Sequence, residues 1–332
     1  MRPAPRPTRR TARDLLALAA CGTLLAACGA PAPEDRSGDW RFGDSGDGDV
    51  AVELPERPTR VVAYSGVAAA LWDYGFEVVG VFGPVKGTGD DRAPQIGDVD
   101  TEKVEVLSET YGELGIERLA EVEPDLIVTH AYDDLLWYLP EDKTAQIEAV
   151  APIAAIQVTG VESEKSLKKT ADLAVALGVD AESPKIVAAR DSFEDALAGL
   201  DDAVDANPDL RVTAVSANEA DFFVGNAAAS AELGLFTRHG VRFPETDAPV
   251  KDSFEQLSWE EADKYPTDLL LQDSRPGKVT PAELADIGTW RKLPAVEADQ
   301  VGAWEVETPY SYDRYAGVVT RLAGEINDAD RL

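Results

Sequence analysis

The chain has 332 residues, 62 acidic against 31 basic, and a formal net charge of −31. A surface of that sign repels nucleic acid and anionic lipid headgroups; it favours solubility and, secondarily, attracts cationic ligands or basic partner surfaces. Of the two cysteines, Cys21 lies in an apolar leader, which leaves Cys28 without a partner and excludes an internal disulfide, a cysteine zinc site and a cysteine nucleophile beyond it.

The N-terminus reads as an export signal. Arg2, Arg6, Arg9, Arg10 and Arg13 form a basic region, and Leu15 to Leu25 is an apolar run rich in Leu and Ala. That run falls short of the roughly 20 residues needed to span a bilayer, so it is a signal and not an anchor helix. Leu25-Ala26-Ala27-Cys28 resembles the bacterial lipobox, which implies cleavage before Cys28, lipidation of its thiol and tethering to the outer face of a membrane. Thr8-Arg9-Arg10 hints at twin-arginine export, but Ala12 stands where that motif prefers a bulky apolar residue, and the route stays open. Residues 28–49, rich in Gly, Pro, Asp and Ser, have the composition of a flexible tether, with order expected from about Val50.

From there α and β signals alternate. Strands are predicted at Arg60 to Ala63, Val78 to Phe82, Leu126 to Thr129 and Ile153 to Ile156, with a helix over Val67 to Tyr74. Short continuous apolar runs between helices indicate parallel strands buried on both faces. The pattern restarts after Asn207 with strands at Val212 to Val215, Phe222 to Val224 and Leu269 to Leu271, and helices at Ala228 to His239 and Pro281 to Ile287. Between the halves Ser183-Pro184 opens a helix, and Ile186, Ala189, Phe193, Leu197, Leu200 and Val204 recur at helical spacing until Asn207-Pro208 ends it. The expected architecture is therefore α/β: two Rossmann-like lobes (50–182 and 207–332) with parallel sheets, joined by one long helix (183–206), with a ligand cleft between the lobes. An internal repeat relates the halves. Leu114-x2-Glu117-x7-Asp125-Leu126 and Leu257-x2-Glu260-x7-Asp268-Leu269 share one pattern, each Glu in the first turn of a helix and each Asp entering a strand.

Arg60-Val61-Val62-Ala63-Tyr64, Gly75 to Val81, Gly115 to Val128, Phe254 to Glu260 and Trp290 to Val296 together resemble, in order, ferric-siderophore-type substrate-binding proteins of ABC importers. The resemblance covers about residues 50 to 327. It implies two lobes on a stiff helical backbone that capture an iron chelate, cobalamin or haem and deliver it to a membrane permease. It also implies that Glu117 and Glu260 pair with arginines of that permease. The protein would be a monomeric binding protein and not an enzyme.

Ligand-binding residues in such folds sit on loops at strand C-terminal ends. Those loops offer Tyr64, Tyr111, His130, Tyr132, Trp137, Tyr138, Phe223, Arg275, Trp304 and Tyr310, a set rich in large amphipathic aromatics suited to a bulky chelate. Tyr132, Trp137 and Tyr138 serve equally well as packing for their own lobe. Arg275 and Arg314 are candidates to pair with chelate oxygens, Arg275 the better one. His130 and His239 are too few for a bare transition-metal site, no resident cofactor is expected, and a siderophore would supply every ligand to its own iron. Gly-x-Ser-x-Gly, Gly-x-x-x-x-Gly-Lys and His-Glu-x-x-His are all absent, so no catalytic residues are assigned. Hydroxamate, catecholate and carboxylate siderophores, haem and cobalamin all fit an aromatic cleft with a few arginines.

Cys28→Ser is expected to abolish metabolic fatty-acid labelling of the protein; equal labelling of variant and wild type would refute lipidation at this residue.

Overall fold

The computed structural model describes residues 40–87, 92–249, 251–275 and 279–332, so the leader, the lipobox-like tetrapeptide and Cys28 lie outside the described residues. Order begins earlier than the composition suggested. Strand β1 (Trp40–Phe42) pairs antiparallel with β2 (Val52–Leu54), so residues 40–49 are not tether. Two apolar anchors hold them: Phe42 is buried, and the Trp40 indole N–H donates to the Ala176 carbonyl at 2.8 Å. Asp49, also buried, accepts from Lys169 Nζ at 2.8 Å.

In the first lobe β3 (Val61–Tyr64) runs straight into α1 (Ser65–Tyr74), followed by β4 (Gly80–Phe82), β5 (Glu105–Ser108), α2 (Ile116–Glu121), β6 (Leu126–Tyr132), β7 (Leu135–Leu136), α3 (Thr144–Glu148), β8 (Ile153–Gln157) and α4 (Ser163–Ala176). The order β5-β4-β3-β6-β8 is parallel throughout, and β7 folds back antiparallel on the end of β6. Every residue of β3 and β4 is buried, as expected for strands covered on both faces.

Helix α5 (Pro184–Ala206) leads to the second lobe. Ser183 Oγ accepts from Ile186 N at its start, and the Asn207 side-chain amide donates to the Ala203 carbonyl at its end. At 1.5 Å per residue its 23 residues extend about 35 Å. The second lobe comprises β9 (Val212–Ala217), β10 (Asp221–Gly225), α6 (Ala231–Arg238), β11 (Phe254–Ser258), β12 (Leu269–Asp273), α7 (Pro281–Leu284), α8 (Pro294–Glu297), β13 (Val301–Trp304) and α9 (Tyr312–Asp328).

Its strand order, β11-β10-β9-β12-β13, repeats that of the first lobe with β9 in the place of β3. The sheet is mixed, however, and this corrects the expectation of parallel sheets in both lobes: β10 runs antiparallel to β9 and β11. The reason is chain length. Only Asn218 to Ala220 separate β9 from β10, whereas a parallel crossover needs a dozen or more residues. Asn218 Oδ1 accepts from the Ala220 and Asp221 N–H groups and closes the turn. In the first lobe α1 occupies the equivalent slot.

The repeated Asp has the same task in each half. Asp125 accepts from the Thr59 and Arg60 N–H groups, tying the start of β6 to that of β3. Asp268 accepts from Arg211 N at 2.8 Å and Arg211 Nε at 2.8 Å, joining β12 to β9, and from Leu332 N at 2.9 Å. Burial alone would raise the Asp268 pKa; the Arg211 guanidinium overrides it and holds the carboxyl at about 2.

Asp268→Ala is expected to cost about 3 kcal/mol, because it strands the Arg211 guanidinium and two backbone N–H donors, those of Arg211 and Leu332. The native carboxyl titrates below its unfolded value of about 4, so its contribution is full above that pH and fades as pH falls through about 2. Urea unfolding between pH 5 and pH 2 should therefore be steeper in pH for wild type than for the variant; equal slopes would refute the assignment.

Candidate functional site

Between the two sheets the strand C-terminal ends face a cavity of about 270 Å³. The first lobe contributes Tyr64 from the end of β3, His130 and Tyr132 from β6, and Trp137 from the loop after β7. The second contributes Glu232 and the start of α6, Phe254, Arg275, Trp304 and Glu307. Tyr310 and Tyr315, on the segment that crosses back between the lobes, close the floor. A separate hollow of about 440 Å³ lies along β12 and β13 and shares Arg275 with the cleft, but none of the aromatics lines it.

The aromatic wall, drawn from the first lobe and the start of α9, is one connected set of rings. Tyr315 stacks on Tyr310 at 5.4 Å, Tyr310 meets the edge of His130 at 5.3 Å, and His130 meets Tyr64 at 5.3 Å. Tyr64 contacts Tyr138 at 5.5 Å, and Tyr111 bridges Tyr138 and Trp137, both at 5.2 Å. Two glycines make room for the Tyr64 ring. A Cβ on Gly66 would lie 2.8 Å from it, and one on Gly83, whose φ is +105°, would lie 2.7 Å away. Gly225 does the same in the second lobe, where a Cβ would meet Trp304 at 3.1 Å. Two non-glycine residues at the cleft, Tyr138 (φ +64°) and Glu307 (φ +66°), are held in the left-handed region, which costs about 1–3 kcal/mol each.

The polar groups are few and differ sharply in state. His130 is 4% exposed and its Nε2 has no partner among the described residues; burial lowers its pKa to about 3, so the imidazole is neutral. The Trp137 indole nitrogen is likewise buried, near the Tyr64 hydroxyl but with no hydrogen bond of 3.5 Å or less among the described residues. These open polar atoms beside aromatic faces are what a site for a bulky amphipathic ligand requires. Glu232, 7% exposed, accepts from Trp304 Nε1 at 2.9 Å, and burial pushes its carboxyl up to about 8.

Arg275, the better arginine candidate for chelate oxygens, lines the cavity with its guanidinium already paired. Its guanidinium is held by Asp273 (2.7 and 3.0 Å) and by Glu307 (3.1 Å). Asp273 is itself buried and accepts from Ser216 Oγ at 2.9 Å. Glu307 reaches across the cleft to Gln95 Nε2 (3.3 Å) and the Tyr64 hydroxyl (3.4 Å). Arg314 is outside the cavity and clamps Asp73 and Asp98 of the first lobe.

Of the aromatic candidates, Tyr64, His130, Tyr132, Trp137, Trp304 and Tyr310 come together at the cavity. Tyr111, Tyr138 and Phe223 do not line it. Tyr111, 46% exposed, and Tyr138 buttress Trp137 from outside, and Phe223 packs edge-on against Phe254. Glu232 and Glu307 were missed. Glu232 lies in the first turn of α6, a place where Glu usually only complements the helix dipole, and no sequence signal sets it apart. His239 pairs with Asp201 on α5 and is not joined to His130. Among the described residues no group of three or more His, Cys, Asp or Glu is arranged to hold a metal ion, and no helix is long and apolar enough to cross a membrane.

The chain belongs to the periplasmic binding protein family, whose model matches residues 64–307. Among solved structures it is similar to DesE, a ferric-siderophore receptor protein from Streptomyces coelicolor, with 37% identity and a TM-score of 0.83 over 88% of this chain and 99% of that one. The siderophore periplasmic binding protein from the fuscachelin gene cluster of Thermobifida fusca shares 22% identity (TM-score 0.62, 82% and 98% covered). FhuD2 from Staphylococcus aureus with bound ferrioxamine B shares 17% (TM-score 0.57, 81% and 98% covered). The last two show the fold alone. No curated protein matches the chain in sequence.

Because the Glu232 carboxyl holds its proton in the folded chain up to about pH 8, against about 4.5 when unfolded, folding binds a proton between those values. Stability from this group is therefore greatest at low pH and is lost as pH rises through about 8. The difference in urea midpoint between wild type and Glu232→Gln should move against wild type from pH 5 to pH 8.5; a constant difference would show that the carboxyl is not held protonated.

Proposed function

We propose that the protein is the extracytoplasmic substrate-binding lipoprotein of an ABC importer, capturing a ferric siderophore or a similar iron chelate and delivering it to a membrane permease. The observation that carries this is the aromatic cleft between the lobes, with His130 Nε2 and Trp137 Nε1 open in its wall, in a chain 37% identical to a ferric-siderophore receptor. Large flat rings with few fixed charges suit a chelate whose metal is already fully ligated, since the protein need only enclose and orient it. Cobalamin and haem are the competing ligands of this reading. The lipid anchor proposed at Cys28 would keep the protein beside its permease.

Delivery would use the two repeated glutamates. Glu117, at the start of α2, and Glu260, in the short turn Trp259–Glu261 after β11, occupy equivalent places in the two lobes. Both are exposed. Two separated acidic points would meet basic residues on two permease subunits and so fix orientation as well as contact.

Ferrioxamine B is expected to quench tryptophan fluorescence with a Kd near or below about 1 μM, roughly −8 kcal/mol. Trp137→Ala should weaken it about tenfold or more, as loss of one stacked aromatic wall costs ~1–3 kcal/mol. Binding of haem or cobalamin with no response to any ferric siderophore would overturn the assignment. Glu117→Ala with Glu260→Ala should stop uptake in cells while leaving chelate binding by the purified protein unchanged, because each exposed pair contributes at most ~1 kcal/mol but two-point engagement fails as a unit. Normal uptake by the double variant would remove these residues from the docking surface.

A further inference from the structure

The charges around the cleft restrict which chelates it accepts. Among the described residues the only basic side chains lining the cavity are Arg275 and His130. His130 is neutral, since burial lowers its pKa to about 3. Arg275 is already neutralised twice, by Asp273 and Glu307, whose side chains are 1% and 15% exposed. An anionic ligand would have to displace one of these carboxylates and leave it buried without its cation, an unfavourable exchange.

Glu232 faces the opposite situation. One oxygen takes the Trp304 N–H, and the other has no hydrogen-bond partner among the described residues. The carboxylates closest to it in effect, Glu305 and Asp273, repel its charge. Trp304, Tyr310 and Tyr315 line the same cavity and add no positive charge to it. The positive end of α6 also opens there, but the side chain in its first turn is Glu232 itself. His130 Nε2, buried and unpartnered in the same wall, marks the cavity as a place where a ligand completes the polar contacts.

We infer that the cleft selects ferric chelates carrying no net negative charge, and that a cationic group on the chelate is seated at Glu232. This rests on the proposed function and narrows it: trishydroxamate complexes, neutral or with an ammonium tail, fit, and trianionic tris-catecholate complexes do not. Seating a cation beside Glu232 favours its ionised form, so binding at neutral pH releases a proton that the empty cleft retains.

The test compares three probes on the full chain: ferrioxamine B, which ends in an ammonium group, the same complex with that amine acetylated, and ferric enterobactin, a trianion. Wild type should bind ferrioxamine B about tenfold or more tightly than its acetylated form, the scale of one charged hydrogen bond, and should not respond to ferric enterobactin. Calorimetry at pH 7 in buffers of different ionisation enthalpy should show up to about one proton released with ferrioxamine B and none with the acetylated complex. Glu232→Gln should bind both hydroxamates alike and release no proton. Equal affinity of wild type for the two hydroxamates, or binding of ferric enterobactin as tight as ferrioxamine B, would overturn the inference while leaving the proposed function intact. Failure of all ferric chelates to bind would overturn both. The probe comparison on wild type decides the matter even where Glu232→Gln does not fold.

Discussion

Helix α5 lies against α9 along much of its length, and this pairing sets the separation of the two sheets on which the cleft depends. The buried face of α5 is built from Ile186, Ala189, Phe193, Ala196, Leu200 and Ala203, and small residues at alternate positions let the helices approach closely. Phe193 packs on Tyr312 and Tyr315 where α9 begins. A chain crossing between lobes through a strand or loop bends by changing a few dihedrals. One that crosses through a paired helix must break several backbone hydrogen bonds to do so, and the pair resists.

The start of α9 is pinned to the first lobe as firmly as its end is to the second. Ser311 Oγ donates to Asp73 at 2.6 Å, the Tyr74 hydroxyl accepts from Tyr312 N at 2.9 Å, and Arg314 clamps Asp73 and Asp98. At the other end Gln300 exchanges hydrogen bonds with Asp330, and Arg211 reaches the Leu332 carbonyl. The segment between β13 and α9, carrying Glu307 and Tyr310, is thereby stretched across the floor of the cleft. The left-handed conformation of Glu307 belongs to this placement: a strained residue persists because its surroundings fix it on both sides. Shape complementarity in the cleft is thus a property of the helical frame, and the aromatic rings ride on it.

Within that frame the cleft separates its two chemical tasks. The first lobe offers area: His130 and the tyrosines around it are neutral and mutually packed, so a ligand meets a preformed surface whose ordering entropy was lost on folding. The second lobe offers charge: Arg275 is held between Asp273 and Glu307, a group with one more carboxylate than cation. Glu232 is the exception, held neutral by burial. The excess of acid over base in the whole chain sets the sign of the distant field, whereas this carboxyl adds no charge to the empty cleft at neutral pH.

Much of the architecture was legible in the sequence, since it rests on local rules. The apolar runs at Val61, Leu126, Ile153 and Leu269 are strands because buried parallel strands need apolar residues on both faces, and the Ser183-Pro184 start and Asn207-Pro208 stop of α5 are caps that act over one turn. The repeated Asp-Leu entry was visible too, although its meaning, a carboxylate joining neighbouring strands, needed the sheet. Strand direction in the second lobe was readable in principle from the three-residue gap before β10. Order at residues 40–49 was not, because one buried and one half-buried aromatic outweigh a Gly- and Asp-rich composition only when α4 and the sheet are there to receive them. The charged residues of the cleft lay furthest from reach. Arg275 reads as a free cation until Asp273 and Glu307 are placed beside it, and Glu232 reads as an ordinary first-turn acid until Trp304, 72 positions away, buries it. Secondary structure follows from neighbours along the chain, whereas the state of a buried charge is decided by groups that only the tertiary fold makes neighbours.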